Sequence, residues 1–354
     1  MNEKIRIKDI AERAGVSVGT VDRVLHNRSK VSKEALAKVQ KALSEMNYQP
    51  NVYASALAYN RSYTFHCIIP KHSREEYWEE IELGIKKATE QQRDFRVEAQ
   101  LMYYNRLDPD SFVKIHKECL QQKPDGVILV PPTLELTQPF ADELHAAKIP
   151  FILLDSNMPE VQPLSFYGLD SVQSGKFAAR MFMLLAHAEP AVMLMKQTIN
   201  GRVLNRQQEN REVGFRTYMK EHFQNTEIID LNLPLRLNQK HHELILEKTF
   251  NEHPEIRHII TLNSKASIVG NYLHKTSRND VQIMGYDMTN RNAECLRRGN
   301  ISFIITQHAY QQGFLSIDTL FKAIVLKKKV RQANYMPIDL ITKENIDFYH
   351  RTLL

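Results

Sequence analysis

Long apolar runs are missing from this chain. Nowhere in its 354 residues do about 18 consecutive apolar positions occur, so no membrane span is expected. Residues Met1 to Lys8 lack the apolar stretch of a secretory leader, and a cytoplasmic protein is expected. Cysteine is scarce. Cys67, Cys119 and Cys295 are odd in number and far apart, which argues against a disulfide framework or a thiolate metal site and fits a reducing cytosol. Enzyme signatures are also missing: there is no Gly-rich phosphate loop and no Gly-x-Ser-x-Gly. His241, His242 and Glu243 could suggest a metal, but adjacent histidines on a helix point to different faces, so a solvated helix is the better reading. No catalytic residue, metal or cofactor is expected.

What is present suits two or three domains. Hydrophobic residues make up 43% of the chain and charged residues 25%, ordinary values for a globular protein. The net charge of +6 is uneven: residues 1–61 carry a balance of +5 and the remainder only +1. A basic head on a near-neutral body suggests a small polyanion-binding domain joined to a larger module.

In the head, Ile7, Ile10, Ala11 and Ala14 recur at helical spacing. Gly15 can take the positive φ that ends a helix, and Val16 can plug the core beneath the turn. Ser17 caps a second helix, Val18 to Leu25, with Val21, Val24 and Leu25 inward. After a polar turn, Ser32 caps a third helix to about Met46, with Ala35, Leu36, Val39, Leu43 and Met46 as its buried stripe. This is a helix-turn-helix with a supporting helix.

These residues resemble the head of the LacI/GalR repressor family. The resemblance runs from Ile7-Lys8-Asp9-Ile10-Ala11-Glu12-Arg13-Ala14-Gly15-Val16-Ser17 through Thr20-Val21-Asp22-Arg23-Val24-Leu25 and Val31-Ser32 to Asn47-Tyr48-Gln49-Pro50-Asn51. It implies that the second helix lies in the major groove, with Val18, Gly19 and Arg23 at base edges and Ser17, Thr20 and Asn27 at phosphates. Asp22 stands where relatives have Ser; it either accepts from a base amine or makes a local contact with Arg23 or His26. Arg6 replaces the usual Ser or Thr before the first helix. Residues 51–58 resemble the family's hinge helix, which implies DNA contacts by Tyr53 and Ala54 and a minor-groove wedge at Leu57. The usual hinge arginines are missing. A plain linker helix is the alternative.

Beyond residue 61, apolar runs alternate with amphipathic helices. Candidate strands are Phe65–Ile69, Val97–Tyr103, Gly126–Val130, Phe151–Leu154, Phe166–Leu169, Ala191–Met195, Ile228–Leu233, His258–Leu262, Gln282–Tyr286 and Ser302–Thr306. Helices between them include Glu75–Gln92, Asp110–Gln121, Val172–His187, Arg202–His222, Gln239–Asn251 and Tyr310–Leu326. Such alternation means parallel sheets with right-handed crossovers, and about ten strands suit two lobes. The expected fold is α/β: an all-α helix-turn-helix head followed by two Rossmann-like lobes, which the family resemblance implies have the type I periplasmic sugar-binding-protein architecture. The expected division is a head over 1–50, a hinge over 51–61 and an effector domain over 62–354. The resemblance implies that lobe 1 takes about 62–163 and 305–330, and lobe 2 about 164–304 and 331–354.

The resemblance continues in Lys123 to Pro131, Lys148 to Asp155, Asp170 with Ser174-Gly175, Asn210-Arg211-Glu212-Val213-Gly214-Phe215, Gly285-Tyr286-Asp287, Gly299-Asn300-Ile301, and Thr306-Gln307 with Gln312-Gly313. It implies a ligand held at the carboxyl ends of strands between the lobes. Carried over by position, Asp155, Arg211, Asn263, Asp287 and Gln307 are the polar contacts. Tyr77 and Trp78 could stack on a sugar's apolar face, and Thr133 could line the cleft. Surface ion pairing for Arg211 and core packing for Trp78 are the plain alternatives. Ser264, where many relatives have Asp, loosens any prediction of the ligand, and His308 is either a new contact or a packed core residue. The expected protein is a cytoplasmic transcriptional regulator, a repressor, that binds near-palindromic operator DNA as a homodimer and is switched by a sugar. The alternative is a cytoplasmic sugar-binding protein or enzyme without a DNA role.

Overall fold

The computed structural model describes residues 5–25, 31–46, 48, 61–74, 76–187, 189–199, 201–203 and 206–349. The chain divides into two compact units, Met1–Asn60 and Arg61–Leu354.

In the first unit, α1 (Ile7–Ala14), α2 (Val18–Leu25) and α3 (Lys33–Glu45) enclose Ile10, Ala11, Ala14, Val21, Val39 and Ala42. Gly15 has φ 65°, a backbone that costs a side chain energy but glycine little. It closes α1 with its N–H on Glu12 O at 3.2 Å, while the Val16 N–H reaches Ala11 O at 3.0 Å. Val16 packs on the core below, as the turn requires. Arg6 gives no side-chain cap, but its N–H donates to Asp9 Oδ2 at 2.7 Å, which recovers part of the missing cap. Ser32 Oγ accepts from the Ala35 N–H at 3.2 Å. One detail of the expected stripe is corrected: Leu36 is exposed and Ala42 is buried instead, because α1 crosses α3 nearer its C-terminal half, where Arg13 pairs with Glu45 at 2.7 Å.

The second unit contains two sheets. The first is built from β1 (Tyr63–Pro70), β2 (Val97–Tyr104), β3 (Gly126–Leu129), β4 (Phe151–Leu154), β5 (Ser165–Gly168) and β11 (Ala333–Tyr335), in the order β11-β5-β4-β3-β1-β2. The second is built from β6 (Ala191–Thr198), β7 (Glu227–Pro234), β8 (His258–Thr261), β9 (Gln282–Tyr286), β10 (Phe303–Thr306) and β12 (Asp339–Ile341), in the order β12-β10-β9-β8-β6-β7. All pairings are parallel except β10 with β12. The second order repeats the first strand for strand, so each position of one lobe has a counterpart in the other. Central strands such as Gly126–Leu129 and His258–Thr261 are buried along their whole length, as parallel strands covered on both faces must be.

The first lobe carries α4 (Tyr77–Gln91), α5 (Pro109–Gln121), α6 (Leu134–Ala146) and α12 (Ala309–Leu320). The second carries α7 (Ser171–Leu185), α8 (Arg206–His222), α9 (Gln239–Glu252), α10 (Ala266–Lys275), α11 (Asn290–Arg298) and α13 (Ile346–Tyr349). Side-chain caps from Asp108, Asp170, Asn238 and Thr289 start α5, α7, α9 and α11. In each lobe one helix pair touches backbone to backbone. A Cβ on Gly175 of α7 would lie 2.0 Å from Arg211 O of α8, and a Cβ on Gly214 would lie 2.0 Å from Val172 O. Gly84 and Gly313 do the same for α4 and α12.

Several expected boundaries move. The chain changes lobes between β5 and α7, between β10 and α12, and between β11 and β12, each a few residues later than the expected 163, 304 and 330. Strand register decides this: Phe166 pairs with Leu153 in the first sheet, Ile304 with Gly285 in the second, and Asn334 with Tyr167 in the first. The division between head and hinge expected at 50/51 lies outside the described residues. Of the helix expected over Arg202–His222, Arg206–His222 is helical, while Arg202 bridges back to Ile199. The helix expected over Tyr310–Leu326 leaves the α form at Leu320 and finishes as a π turn over Phe321–Val325.

Candidate functional site

On the head, Ser17 sets the start of α2. Its Oγ accepts from the Thr20 N–H at 3.2 Å and lies 2.9 Å from the Thr20 hydroxyl. With Val21 buried beneath, Ser17, Val18, Gly19 and Arg23 are exposed, and Thr20 and Asp22 are half-buried beside them. Val18 is left open to 49%, an apolar side chain on the leading turn. A narrow, small-sided helix end of this kind can enter a DNA groove. Asn27 of the following turn and Tyr53, Ala54 and Leu57 of the expected hinge lie outside the described residues.

In the second unit, the carboxyl ends of both sheets face one cleft. A cavity of about 320 Å3 lies there, at the small end of the roughly 300–1,000 Å3 usual for ligand pockets. Its wall brings together Tyr77, Trp78, Asp155, Arg211, Asn263, Asp287 and Gln307. Thr133 is not among them. It occupies the N-cap position of α6, without a side-chain cap, and lines an adjoining cavity of about 130 Å3 that shares Trp78 and Asp155 with the first. Gln307, expected from the first lobe, directly follows β10 of the second.

The two aspartates occupy counterpart positions. Asp155 follows β4 and Asp287 follows β9, and both have φ 68°, in the left-handed region where Asp is among the few tolerated residues. The Asp155 N–H donates to Tyr167 O at 2.9 Å and the Asp287 N–H to Ile305 O at 2.8 Å, the same bond in each lobe. This backbone turns both carboxylates out of their sheets toward the cleft. Burial pushes both acids up in pKa, Asp287 to about 6, with the Arg211 cation opposing the shift in each.

Arg211 is 1% exposed, which removes the surface ion-pair reading. Its Nη1 donates to Leu262 O at 3.0 Å and its Nη2 to Gln307 Oε1 at 2.9 Å, and its guanidinium lies 4.1 Å from the Tyr286 ring centroid. Gln307 passes the connection on, with its Nε2 donating to Asp287 Oδ1 at 2.7 Å. The contact of α7 on α8 at Gly175 is what holds Arg211 at this depth. Tyr77 donates to Asp155, and the Gln312 Nε2 approaches its hydroxyl at 3.3 Å. Trp78 is both a buried helix-face residue and part of the wall.

Some wall residues escaped the sequence. Gln207 sits one turn before Arg211 on α8, and its Nε2 donates to Asp155 Oδ1 at 2.8 Å and Gln307 Oε1 at 2.9 Å, joining the lobes. Helical spacing from Arg211 could have found it. Lys71 and Arg106 follow β1 and β2, and the strand-end rule applied to every strand would have reached them. Glu76 and Lys265 join the two lobes at the rim at 2.8 Å, as do Arg206 and Glu160 at 2.7 Å. His308 lines a third cavity, of about 200 Å3, on the far side of the Asp287–Gln307 pair, with its Nε2 2.8 Å from Asp339 Oδ2. His242 Nε2 lies 2.8 Å from Pro234 O, and His241 Nδ1 2.8 Å from Asn238 Oδ1. Among the described residues no group of His, Cys, Asp and Glu could hold a metal ion, and no helix is long and apolar enough to cross a membrane.

Residues 6–51 match the family of bacterial regulatory proteins of the lacI type, and residues 66–329 match the periplasmic binding protein domain. The chain belongs to the lacI family of bacterial regulatory proteins. It is a DNA-binding transcriptional regulator whose second unit has the periplasmic-binding-protein fold. The HTH-type transcriptional regulator DegA of Bacillus subtilis is 29% identical over 62% of this chain and 61% of its own length. The HTH-type transcriptional regulator MalR of Streptococcus pneumoniae is 24% identical over 94% of this chain and 96% of its own. A crystal structure from Bacteroides fragilis, described as a LacI transcriptional regulator, is 42% identical over 82% of this chain and all of that one, with a TM-score of 0.79.

Proposed function

We propose that this lacI-family regulator is a cytoplasmic, non-enzymatic repressor that binds a near-palindromic operator as a homodimer and is switched by a sugar held between its lobes. The observation that carries the sugar reading is the cavity wall. Carboxylates, amides and an arginine from both lobes converge on about 320 Å3, beside the ring of Trp78. Such groups suit a polyol: carboxylates accept from hydroxyls, amide and guanidinium groups bridge neighbouring oxygens, and an aromatic face covers the apolar side of a sugar ring. In this reading Tyr77, Trp78, Asp155, Arg211, Asn263, Asp287 and Gln307 hold the effector, with Gln207 added and Thr133 serving the neighbouring cavity. Ser17, Val18, Gly19, Thr20, Asp22, Arg23 and Asn27 meet the operator, and Tyr53, Ala54 and Leu57 meet its centre.

A ligand that takes over bonds now made between lobes changes how tightly the lobes hold each other. Bonds such as Gln207 to Asp155 are therefore the natural point of coupling. Effector and operator affinities then shift each other by an equal amount, typically about 1–3 kcal/mol. The test is a gel shift of the full chain on duplex selected from a random pool, with and without a sugar panel. Selective DNA binding that responds to a sugar supports the proposal. Selective binding that no cavity ligand alters would overturn the switch, and the absence of duplex binding would overturn the operator assignment.

A further inference from the structure

We propose that the effector carries an anionic group, as a sugar acid or sugar phosphate does, and that this group lies against Lys71 and Arg106. The proposal rests on the sugar-effector reading and narrows it. The carboxylates of the wall are already engaged. Asp155 accepts from Gln207 at 2.8 Å, Asp287 from Gln307 at 2.7 Å, and Glu76 from Lys265 at 2.8 Å. Its donors are not all engaged. Arg211 Nε and Asn263 Nδ2 are shielded from water and meet no acceptor among the described residues. The Asn263 amide cannot simply be turned over, because its Oδ1 accepts from the Lys265 N–H at 2.9 Å. A buried donor without an acceptor is costly, so the wall is completed by a ligand rich in acceptor oxygens.

The rim adds the charge. Lys71 and Arg106 line the same cavity and form no ion pair among the described residues. They come from neighbouring strand ends that are tied together, with the Lys71 N–H donating to Tyr104 O at 2.8 Å. The Arg106 guanidinium lies 5.7 Å from the Trp78 ring centroid, which places it over the aromatic floor while it stays open to solvent. Two cations outside any ion pair, on one side of a small polar cavity, attract an anion and disfavour a cationic ligand. The polyol end then faces Asp155, Asp287 and Gln307, and the anionic end faces Lys71 and Arg106.

The test is calorimetry on the full chain with matched series of glucose, galactose and mannose, each as the neutral sugar, the uronate and the 6-phosphate. At least one acidic member should bind roughly ten-fold or more tightly than its neutral parent. The double variant Lys71→Gln, Arg106→Gln should lose most of that preference and lower the salt dependence of binding. Both side chains are exposed, and thermal unfolding checks that the variant folds. Neutral sugars binding as well as their acids, or an acid preference that survives in the double variant, overturns the anionic assignment alone. Binding by no member of the panel overturns the sugar reading with it.

Discussion

Gly175→Ala adds one methyl group to the middle of α7. On an exposed helix this exchange would stabilise the protein by about 1 kcal/mol, since alanine is the better helix former. Here the new Cβ would lie 2.0 Å from Arg211 O and 2.8 Å from its carbonyl carbon. Ordinary contact begins near 3.4 Å, and the obstructing atoms are backbone, so neither can rotate away. The helices must separate by at least about 1 Å. Overpacking of this kind costs about 1–3 kcal/mol, with rigid backbone on both sides placing it toward the top of that range, and so the clash outweighs the propensity gain. The expected net loss of about 1–2 kcal/mol lowers the melting temperature of the second unit by several degrees. Because the obstructing atom belongs to Arg211, the same shift moves its guanidinium off Leu262 O and Gln307 Oε1, bonds of 3.0 and 2.9 Å with little slack. Thermal unfolding by circular dichroism and gel shift with effector would show lower stability and a blunted effector response. Gly19→Ala is the contrasting control, since its Cβ would meet only Ser17 Oγ at 3.9 Å and should not destabilise. A Gly175→Ala protein that melts at or above the parent temperature would refute the close-contact reasoning.

Trp78 is the only tryptophan and lines the cavity, so ligand titration should shift or quench its emission; a binding ligand that leaves the emission unchanged counts against the site. Arg211→Ala should weaken effector binding by about ten- to a hundred-fold, a charged hydrogen bond being worth about 1.5–3 kcal/mol, while leaving operator binding intact; calorimetry and gel shift separate the two. Asp287 has its pKa raised to about 6 by burial, so its contribution to stability is present below the unfolded carboxylate range and lost as pH rises through about 6. Asp287→Asn should therefore flatten the fall in melting temperature between about pH 4 and 6.5. Arg23→Ala should relax preference at one operator position and cost about 1–3 kcal/mol there, whereas an equal loss on every sequence would make Arg23 a phosphate contact.

The head was legible almost residue by residue, because its signals are local. Gly15 ends α1, Ser17 and Ser32 start the next two helices, and apolar spacing turns each toward one small core. The ten long or fully buried strands were legible for the same reason, since a buried parallel strand must be a continuous apolar run. β11 and β12, three residues each and half-exposed, carry no such pattern and exist only because a sheet edge accepts them. α6 was not among the expected helices; it contains Pro139, and burial of Phe140, Ala141 and Leu144 holds it helical. The individual site residues came through the family resemblance, at strand ends and on α8. Which of them meet was decided by tertiary structure. Thr133 and Asp155 both follow strand ends of the first lobe, yet Asp155 lines both cavities and Thr133 only the smaller one. Gln207 and Asp155 are 52 positions apart, and lie 2.8 Å from each other only because two sheets of matching order face one cleft. The sequence by itself determined the head and the ten longer or fully buried strands, since hydrogen-bonding and apolar periodicity act over a few residues. The tertiary structure alone determined the committed and uncommitted donors of the cavity, since a hydrogen bond across two lobes depends on ångström-scale positions that no local pattern encodes.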